Sequence, residues 1–356
     1  MGNHAIGSVS VVIVTYNSAV HICRCLDALQ TQPDQPDEII VYDNASTDGT
    51  PSMVQVSYPS VMLIAGDSNI GFAAANNRAA ARAIGDCLVF LNPDTMVQPG
   101  WMPPLLDALD SDDTVGAVTP QILFAKHPHF INACGNQVHL SGLTYCLRLG
   151  EPAMAGRPVD VSAVSGAAFA IRRLAFEQMG GFEERLFLYY EDTDVSLRLR
   201  CAGWRILVAP DSHVWHDYQA SFTPSKVYYL ERNRYLSLFS LMPLRMLALM
   251  LPAMLAVEAA TWGFCLLHGR AALAAKGRAW SDVLASVAWL MQRRRSRALM
   301  SVSMNGLLSG FSPRLRVDYA GQAGGIAYRM LEAIGWLTAA PMLALGRRVA
   351  VRRKGE

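Results

Sequence analysis

The sequence predicts an α/β fold: a doubly wound, mostly parallel sheet followed by an apolar helical region. Three observations carry that prediction. Short β-branched runs alternate with helix-patterned stretches over the first hundred residues, the rhythm of βαβ units. Two of the runs stop on an aspartate, Asp43 and Asp94, and open α/β sheets bind ligands at the carboxyl ends of their strands. Charge is also segregated, because residues 1–240 hold 15 Lys+Arg against 24 Asp+Glu, whereas residues 241–356 hold 16 against 5. An acidic part thus precedes a basic, apolar one.

At 356 residues the chain can bury a full core in one large α/β domain with an appendage. A hydrophobic share of 52% excludes a disordered chain. The basic residues of the tail alternate with apolar runs rather than exposed aromatics, which favours an anionic membrane surface as partner and disfavours nucleic acid. The seven cysteines are scattered, and Cys23 and Cys25 lack the spacing of a zinc or redox pair. They read as reduced, cytosolic and mostly buried. Residues 1–8 have no basic segment leading into a long apolar one, so no secretory signal is expected.

The first strand is Val9–Tyr16, which breaks at Asn17-Ser18. A helix over Ala19–Leu29 follows, with Val20, Ile22, Leu26 and Leu29 at roughly helical spacing. Glu38–Tyr42 is the second strand, closed by Asp43 and a polar turn over residues 44–50 rich in capping residues. Val61–Ile64 is a short third strand. Asn69-Ile70-Gly71-Phe72 then leads into an alanine-rich helix, Ala73–Ile84, with Asn76 and Asn77 near its start.

Cys87–Leu91 is a continuous apolar run that reads as a strand buried on both faces, and Asn92-Pro93-Asp94-Thr95 stops it. Asp94 is therefore a candidate metal-holding or phosphate-facing residue, although Pro-Asp-Thr equally suits a bare turn and helix cap. Right-handed crossovers would bring Asp43, Asp94 and Thr15-Tyr16-Asn17 to one rim of the sheet, a convergence that unrelated turns do not supply. Trp101–Leu109 is a further helix. Val115–Thr119 opens a less regular region through Arg157. Val161–Ile171, which includes Gly166, is small-residue and β-rich, so a ligand could come close to its backbone.

The densest constellation spans residues 180–194, Gly-Gly-Phe-Glu-Glu-Arg-Leu-Phe-Leu-Tyr-Tyr-Glu-Asp-Thr-Asp. Val195, Leu197, Leu199 and the stop at Gly203 predict a short helix with Glu191, Asp192 and Asp194 in its first turn. A helix start favours acidic residues through capping and the macrodipole. Three acids beneath Tyr189-Tyr190 exceed that need, and carboxylates crowded under aromatics are placed for a raised pKa and general-base work. Ile206–Val208 is another strand. After it, His216 lies in a loop, either as a packed core residue or, beside an aspartate site, as a ligand.

Lys226–Leu241 predicts an amphipathic helix that closes the first domain. Met246–Leu267 is apolar for about the length of a bilayer core, but Pro252 and Glu258 interrupt it. A lipid-buried glutamate is costly, so an interfacial or re-entrant helix, or a helix pair in a homo-oligomer, fits as well as a clean span. Arg293-Arg294-Arg295, Arg297, Arg347-Arg348 and Arg352-Arg353-Lys354 read as anionic-lipid contacts or solvated charge, and Met330–Leu345 as a second apolar helix.

The order of these segments resembles glycosyltransferase family 2, the inverting enzymes of GT-A fold, in its rhamnosyltransferase-like branch. The matching text is Val-Val-Ile-Val-Thr-Tyr-Asn (11–17), Asp-Asn-Ala-Ser-Thr-Asp-Gly-Thr (43–50), Asn-Ile-Gly-Phe-Ala-Ala-Ala-Asn-Asn (69–77), Leu-Asn-Pro-Asp (91–94), Gly-Gly-Phe-Glu-Glu (180–184) and Tyr-Glu-Asp-Thr-Asp-Val (190–195). The resemblance implies a GT-A catalytic domain over residues 1–240. It is followed by a membrane-associating region over 241–356, at the cytoplasmic face of the inner membrane, peripheral or integral.

It further implies that the nucleotide lies against Thr15, Tyr16, Asn17, Asp43 and Asn44, with Gly71, Phe72, Asn76 and Asn77 walling the nucleotide and donor sugar. Asn92 and Asp94 stand where the family's Asp-x-Asp holds Mg2+ or Mn2+ against the diphosphate, here one carboxylate short. His216 falls at a further metal or phosphate contact. Asp192 matches the base that takes the acceptor hydroxyl proton, and Glu191, Asp194 and Gly166 support the loop or the acceptor.

The implied substrates are a nucleotide sugar, dTDP-L-rhamnose first and a UDP- or GDP-sugar as alternative, and a lipid-linked or cell-surface glycan. A sugar nucleotidyltransferase would carry a Gly-rich, Arg-containing phosphate loop after its first strand, which Val14-Thr15-Tyr16-Asn17 lacks. A non-catalytic membrane scaffold sits poorly with Asp43, Asp94 and Asp192 all intact.

Overall fold

The computed structural model describes residues 6–218 and 222–298, with 306, 308, 310–315, 334, 335 and 337. The elements run β1 (Val9–Thr15), α1 (Ile22–Gln30), β2 (Glu38–Asp43), α2 (Thr50–Ser57), β3 (Met62–Ala65), α3 (Phe72–Ala80), β4 (Cys87–Leu91), β5 (Thr95–Val97) and α4 (Met102–Asp110). There follow β6 (Val115–Phe124), β7 (His127–Ala133), β8 (Asn136–His139), β9 (Thr144–Cys146), β10 (Val159–Asp160), β11 (Ala168–Arg172), α5 (Arg173–Gln178), α6 (Glu191–Ala202) and β12 (Arg205–His216). The helices α7 (Pro224–Leu241), α8 (Leu244–Leu267), α9 (Arg270–Ala285) and α10 (Val287–Ala298) come next, then β13 (Phe311–Ser312). Two compact units result. The second comprises residues 137–145, 200–203 and the described chain from 222 onward. α7 belongs with the second of these units, where it packs against α9.

In the first unit the strands lie in the order β10-β12-β6-β11-β4-β1-β2-β3, with β5 on β12 and β7 on β6. β4, β1, β2 and β3 run parallel, as expected of βαβ units. The sheet is mixed, however, because β11 is antiparallel to both β4 and β6. A parallel neighbour needs a helical crossover. Between β6 and β11 the chain instead forms strands β7–β10 with no helix, so β11 enters in the opposite direction.

Successive residues of β1 feed opposite faces of the sheet, which is why the strand reads as unbroken apolar text. Val11 and Ile13 join Ile22, Leu26 and Leu29 of α1 and Leu105 of α4 on one side. Val12 and Val14 join Ala75 and Ala79 of α3 and Phe90 on the other. Phe90 is ringed by Phe169, Phe176 and Phe182 at centroid distances of 5.1, 5.2 and 5.0 Å. Burial of side chains such as Leu26 and Phe90 stabilises by about 1.5–3 kcal/mol each.

Several elements escaped the sequence reading, among them α2, α5, α9 and α10, and β12 was seen only in part. α2 starts on Thr50-Pro51, with proline in the first turn, where it removes no bond, but it buries only Thr50 and Val54 and so shows no stripe. β12 is longer than Ile206–Val208. Its pairing with β6 skips from Ala209 to His213, and the strand resumes beyond the irregularity at Pro210. His216 is thus the last residue of a strand and not part of a loop.

In the second unit, Thr223 caps α7 by accepting from Lys226 N. The glutamate that interrupts the apolar run of α8 is held inside a helical cluster. Glu258 Oε2 accepts from Arg234 (3.1 Å) and the Tyr235 hydroxyl, while its Oε1 lies 2.7 Å from Trp280 Nε1 and 3.1 Å from Lys276 Nζ. Glu231 pairs with both Arg234 and Lys276, and both cations are fully buried. Beside Glu258, on the same side of α8, Leu244, Leu251, Leu255, Trp262 and Leu266 are exposed. Their spacing of about seven, four, seven and four residues draws one stripe along the helix. α8 has the length and composition to cross a membrane.

Arg294 donates to the carbonyls of Phe239 and Met242, so it is a helix-end tether and not a free lipid contact. Residues 338–356, with Arg347, Arg348, Arg352, Arg353 and Lys354, lie outside the described residues, as does most of Met330–Leu345.

Candidate active site

The carboxyl ends of β1, β2 and β3 are knitted by side chains from the loops that follow them. Thr15 Oγ1 donates to Asp43 Oδ1 (2.9 Å), whose Oδ2 accepts from Ser46 N (2.9 Å). Asn17 has φ 51 and accepts from Thr47 N, and its own N–H donates to Ser46 Oγ. Asn44 donates to Asn69 Oδ1 and accepts from Ile70 N. Thr15, Asp43 and Asn44 are buried and shape this wall, while Tyr16 and Asn17 stand exposed at its mouth. Asn69, absent from the sequence-based candidates, joins the second and third loops.

Gly71, at φ +88, brings the backbone against Phe187, where a Cβ would come within 2.5 Å of the ring. The N–H of Phe72 donates to Phe187 O at 2.6 Å. Asn76 is buried and donates to Phe72 O. Asn77 brackets the backbone of Phe182, donating to its carbonyl (2.9 Å) and accepting from its N–H (2.8 Å). Asn77 thus joins α3 to the segment before α6, whereas Asn76 bonds back within the first turn of α3.

That segment is strained: Phe187, Tyr189 and Tyr190 all have positive φ, a conformation costing of order 1–3 kcal/mol each for residues with a side chain. It delivers the three acids of α6 into different surroundings. Asp194 forms a buried pair with Arg198 (2.7 Å), and Arg198 in turn donates to the carbonyls of Met179 and Gly181. Asp194 therefore fixes the loop. Glu191 is buried, and its Oε2 has no hydrogen-bond partner. Burial first, and then the charge of Asp192, push its carboxyl up to about 8.

Asp192 is the acid that keeps some exposure. Its Oδ1 accepts from Thr193 N (2.6 Å), and its Oδ2 from Gly166 N (2.9 Å) and Asn136 Nδ2 (3.2 Å). Burial raises its pKa, against the lowering effect of those bonds. At Gly166 a Cβ would lie 3.1 Å from Asp192 Oδ2, so a larger residue there would push on that carboxylate.

One strand links this acid to Asp94. Asn92 N donates to Ala167 O, next to Gly166, so Asp94 and Asp192 border the same end of the β4–β11 pair. Asp94 Oδ2 lies 3.3 Å from His216 Nε2, and its Oδ1 is buried without a partner. His216 reaches it because β12 pairs with β5, His216 opposite Thr95. Burial would raise the Asp94 carboxyl, but the His216 imidazole outweighs it and holds it below the usual range.

An orphaned carboxylate oxygen next to an imidazole nitrogen fits a divalent cation that accepts oxygen and nitrogen donors. Among the described residues no group of three or more ligating side chains forms, so this chain offers the pair Asp94 and His216. Asn132, Asn136 and Asn69 are the polar partners that sequence patterning missed. Asn132 and Asn136 are lone asparagines in strands with no spacing signal, whereas Asn69 opens the matching text of residues 69–77 and could have been singled out there.

The sequence model of glycosyl transferase family 2 matches residues 10–180. The N-acetylglucosaminyl-diphospho-decaprenol L-rhamnosyltransferase of Mycobacterium tuberculosis is 32% identical over 231 residues, covering 58% of this chain and 75% of the relative. The O-antigen chain rhamnosyltransferase WbaN of Salmonella anatum is 27% identical over 222 residues, covering 61% and 68%. Among solved structures, S. aureus TarS 1-349 superposes with a TM-score of 0.54 at 19% identity, over 92% of this chain and 90% of that one. GalNAc-T7, solved with UDP, GalNAc and Mn2+, gives 0.55 at 20% identity over 65% and 48%. These two likenesses are of fold, the GT-A type.

Proposed function

The chain belongs to glycosyltransferase family 2, and from that premise we propose that it moves L-rhamnose from dTDP-L-rhamnose to a hydroxyl of a lipid-linked glycan, with inversion. The likeness to two rhamnosyltransferases supports the donor. The observation that carries the mechanism is the partition of the three acids of α6. Asp194 is locked to Arg198 and Glu191 is buried and proton-holding, which leaves the partly exposed Asp192 to act on an acceptor.

Asp192 takes the proton of the acceptor hydroxyl as that oxygen bonds to the anomeric carbon, while the bond from that carbon to the diphosphate breaks and dTDP departs. Gly166 N–H and Asn136 hold Asp192 in place for this step. Tyr16 and Asn17 receive the base at the mouth of the β1–β2 wall. Asp94 and His216 would hold Mg2+ or Mn2+, which when bound neutralises charge on the leaving diphosphate.

The exposed stripe of α8 supports docking on the cytoplasmic face of a membrane, where a lipid-linked acceptor is presented. Glu258 and its cations favour a helix lying in the interface over one that crosses, since their faces are turned to α7 and α9. The test is a transfer assay with dTDP-L-rhamnose, UDP-sugars and GDP-sugars, each with Mn2+ and a polyprenyl-linked saccharide. Rhamnose transfer with inverted anomeric configuration is expected; turnover of a UDP- or GDP-sugar in its place refutes the donor.

A further inference from the structure

His216 carries a second contact, on the ring nitrogen turned away from Asp94. Its Nδ1 lies 2.8 Å from Oδ1 of Asn132, and both side chains are buried. Asn132 belongs to β7 and His216 to β12, and these strands lie against β6. The pairing of β7 with β6 is irregular at this residue. Ile131 faces Leu123 and Ala133 faces Ile122, so Asn132 is the extra residue between two consecutive partners. A bulge of this kind re-aims one side chain, and bulges gather beside active sites.

We infer that Asn132 is a positioning residue that sets the tautomer of His216, keeping the proton on Nδ1 so that the Nε2 lone pair faces Asp94 and a metal ion. The inference rests on the reading of Asp94 and His216 as the metal pair. An amide oxygen accepts and cannot donate, so the ring nitrogen it meets must carry the hydrogen. Nε2 and Asp94 Oδ2 then face each other at 3.3 Å, a pair that a cation bound between them would hold from both sides. The orphaned Oδ1 of the same carboxylate gives that cation a further donor. Partners of this type behind a ligating histidine raise metal affinity by fixing ring orientation and proton position.

The experiment uses the full-length protein with Mn2+ as probe, read by electron paramagnetic resonance in the presence of dTDP, and 15N–1H spectra of the imidazole to report the tautomer. Asn132→Leu, close in volume and without an acceptor, should weaken Mn2+ binding about 10–100-fold and populate the Nε2–H tautomer. Asn132→Asp, which accepts at the same place, should bind Mn2+ at least as tightly as the parent and keep Nδ1–H. Transfer by Asn132→Leu should recover as Mn2+ is raised, a shift in metal requirement rather than in kcat.

Unchanged Mn2+ affinity in a folded Asn132→Leu overturns the proposal. Weakened binding in Asn132→Asp overturns it equally, and that variant decides the matter should the leucine variant not fold. A parent protein that binds no Mn2+ overturns the metal reading itself, whereas a parent that binds Mn2+ with an Nε2–H histidine overturns only the role of Asn132.

Discussion

Asp192→Asn replaces one carboxylate oxygen by an NH2 at the residue proposed as the base of the transfer step. Asp192 accepts on both oxygens, Oδ1 from Thr193 N and Oδ2 from Gly166 N and Asn136 Nδ2. Asparagine has a single acceptor oxygen, and its best orientation keeps the two donors on one side and turns its NH2 toward Thr193 N–H. One buried donor then lacks a partner, at about 1–3 kcal/mol. Removing a negative charge beside Glu191 opposes that loss, so the net effect should lie near the lower bound, about 1 kcal/mol, or a few degrees in Tm. The chemistry suffers far more. Losing a positioned general base costs about 10²–10⁴ in rate, which corresponds to about 3–5 kcal/mol of barrier. The assay pairs kcat at saturating donor and acceptor with calorimetric binding of dTDP. We expect kcat to fall within that range while dTDP affinity holds. Transfer within tenfold of the parent, or a matching loss of nucleotide binding, refutes the assignment.

Glu191→Gln removes a carboxyl that burial and the charge of Asp192 push up to about 8 in the folded state, from about 4.5 for the exposed group. Such a group holds its proton in the folded state and releases it on unfolding. Its contribution is therefore complete below about pH 4.5 and lost as pH rises through 8. The variant should show a flatter Tm profile from pH 5 to pH 8.5, and an unchanged slope would remove Glu191 as its source. Lys276→Met leaves Glu231 and Glu258 sharing Arg234 alone in a buried cluster. Urea unfolding should register a loss of about 3–5 kcal/mol, and Glu231→Gln in the same chain should return part of it; a loss below 1 kcal/mol would show that the cluster is solvated. Leu251→Glu with Leu255→Glu places charge on residues 50% and 60% exposed. Each leucine buried in lipid contributes about 1.5–3 kcal/mol, so flotation with anionic vesicles should fall about 100-fold or more at unchanged Tm; undiminished flotation would place the membrane contact elsewhere.

The parallel half of the sheet was readable because each of its strands is apolar on both faces and ends in a polar turn. β1, β2 and β4 lie within a residue of where patterning puts them. The acids of α6 were readable as a cluster, but their division of labour was not. It depends on Arg198 reaching Asp194 and on the uneven burial of neighbouring carboxyls, which arise only when three aromatic residues take left-handed backbone conformations. The antiparallel entry of β11 left no local mark, since direction in a sheet is set by what lies between strands. His216 was seen as a residue of interest but misplaced by the interruption at Pro210–Ser212, which hides the resumption of β12. Glu258 made the apolar run of α8 ambiguous, and only the partners on α7 and α9 show that it turns inward.

The antiparallel strand at the middle of the sheet also bears on the order of assembly. β1 to β4 form a block from consecutive chain, local enough to be completed early as the polypeptide emerges. β11 must then insert between β4 and β6, both made well before it. Gly166 and Ala167 arrive with that strand, and they are the residues that hold Asp192 and Asn92. The nascent chain can therefore possess a finished rim at the ends of β1, β2 and β3 while Asp192 still has no seat. Sequence changes that slow the entry of β11 would then delay the seating of Asp192 more than they delay compaction of the parallel block.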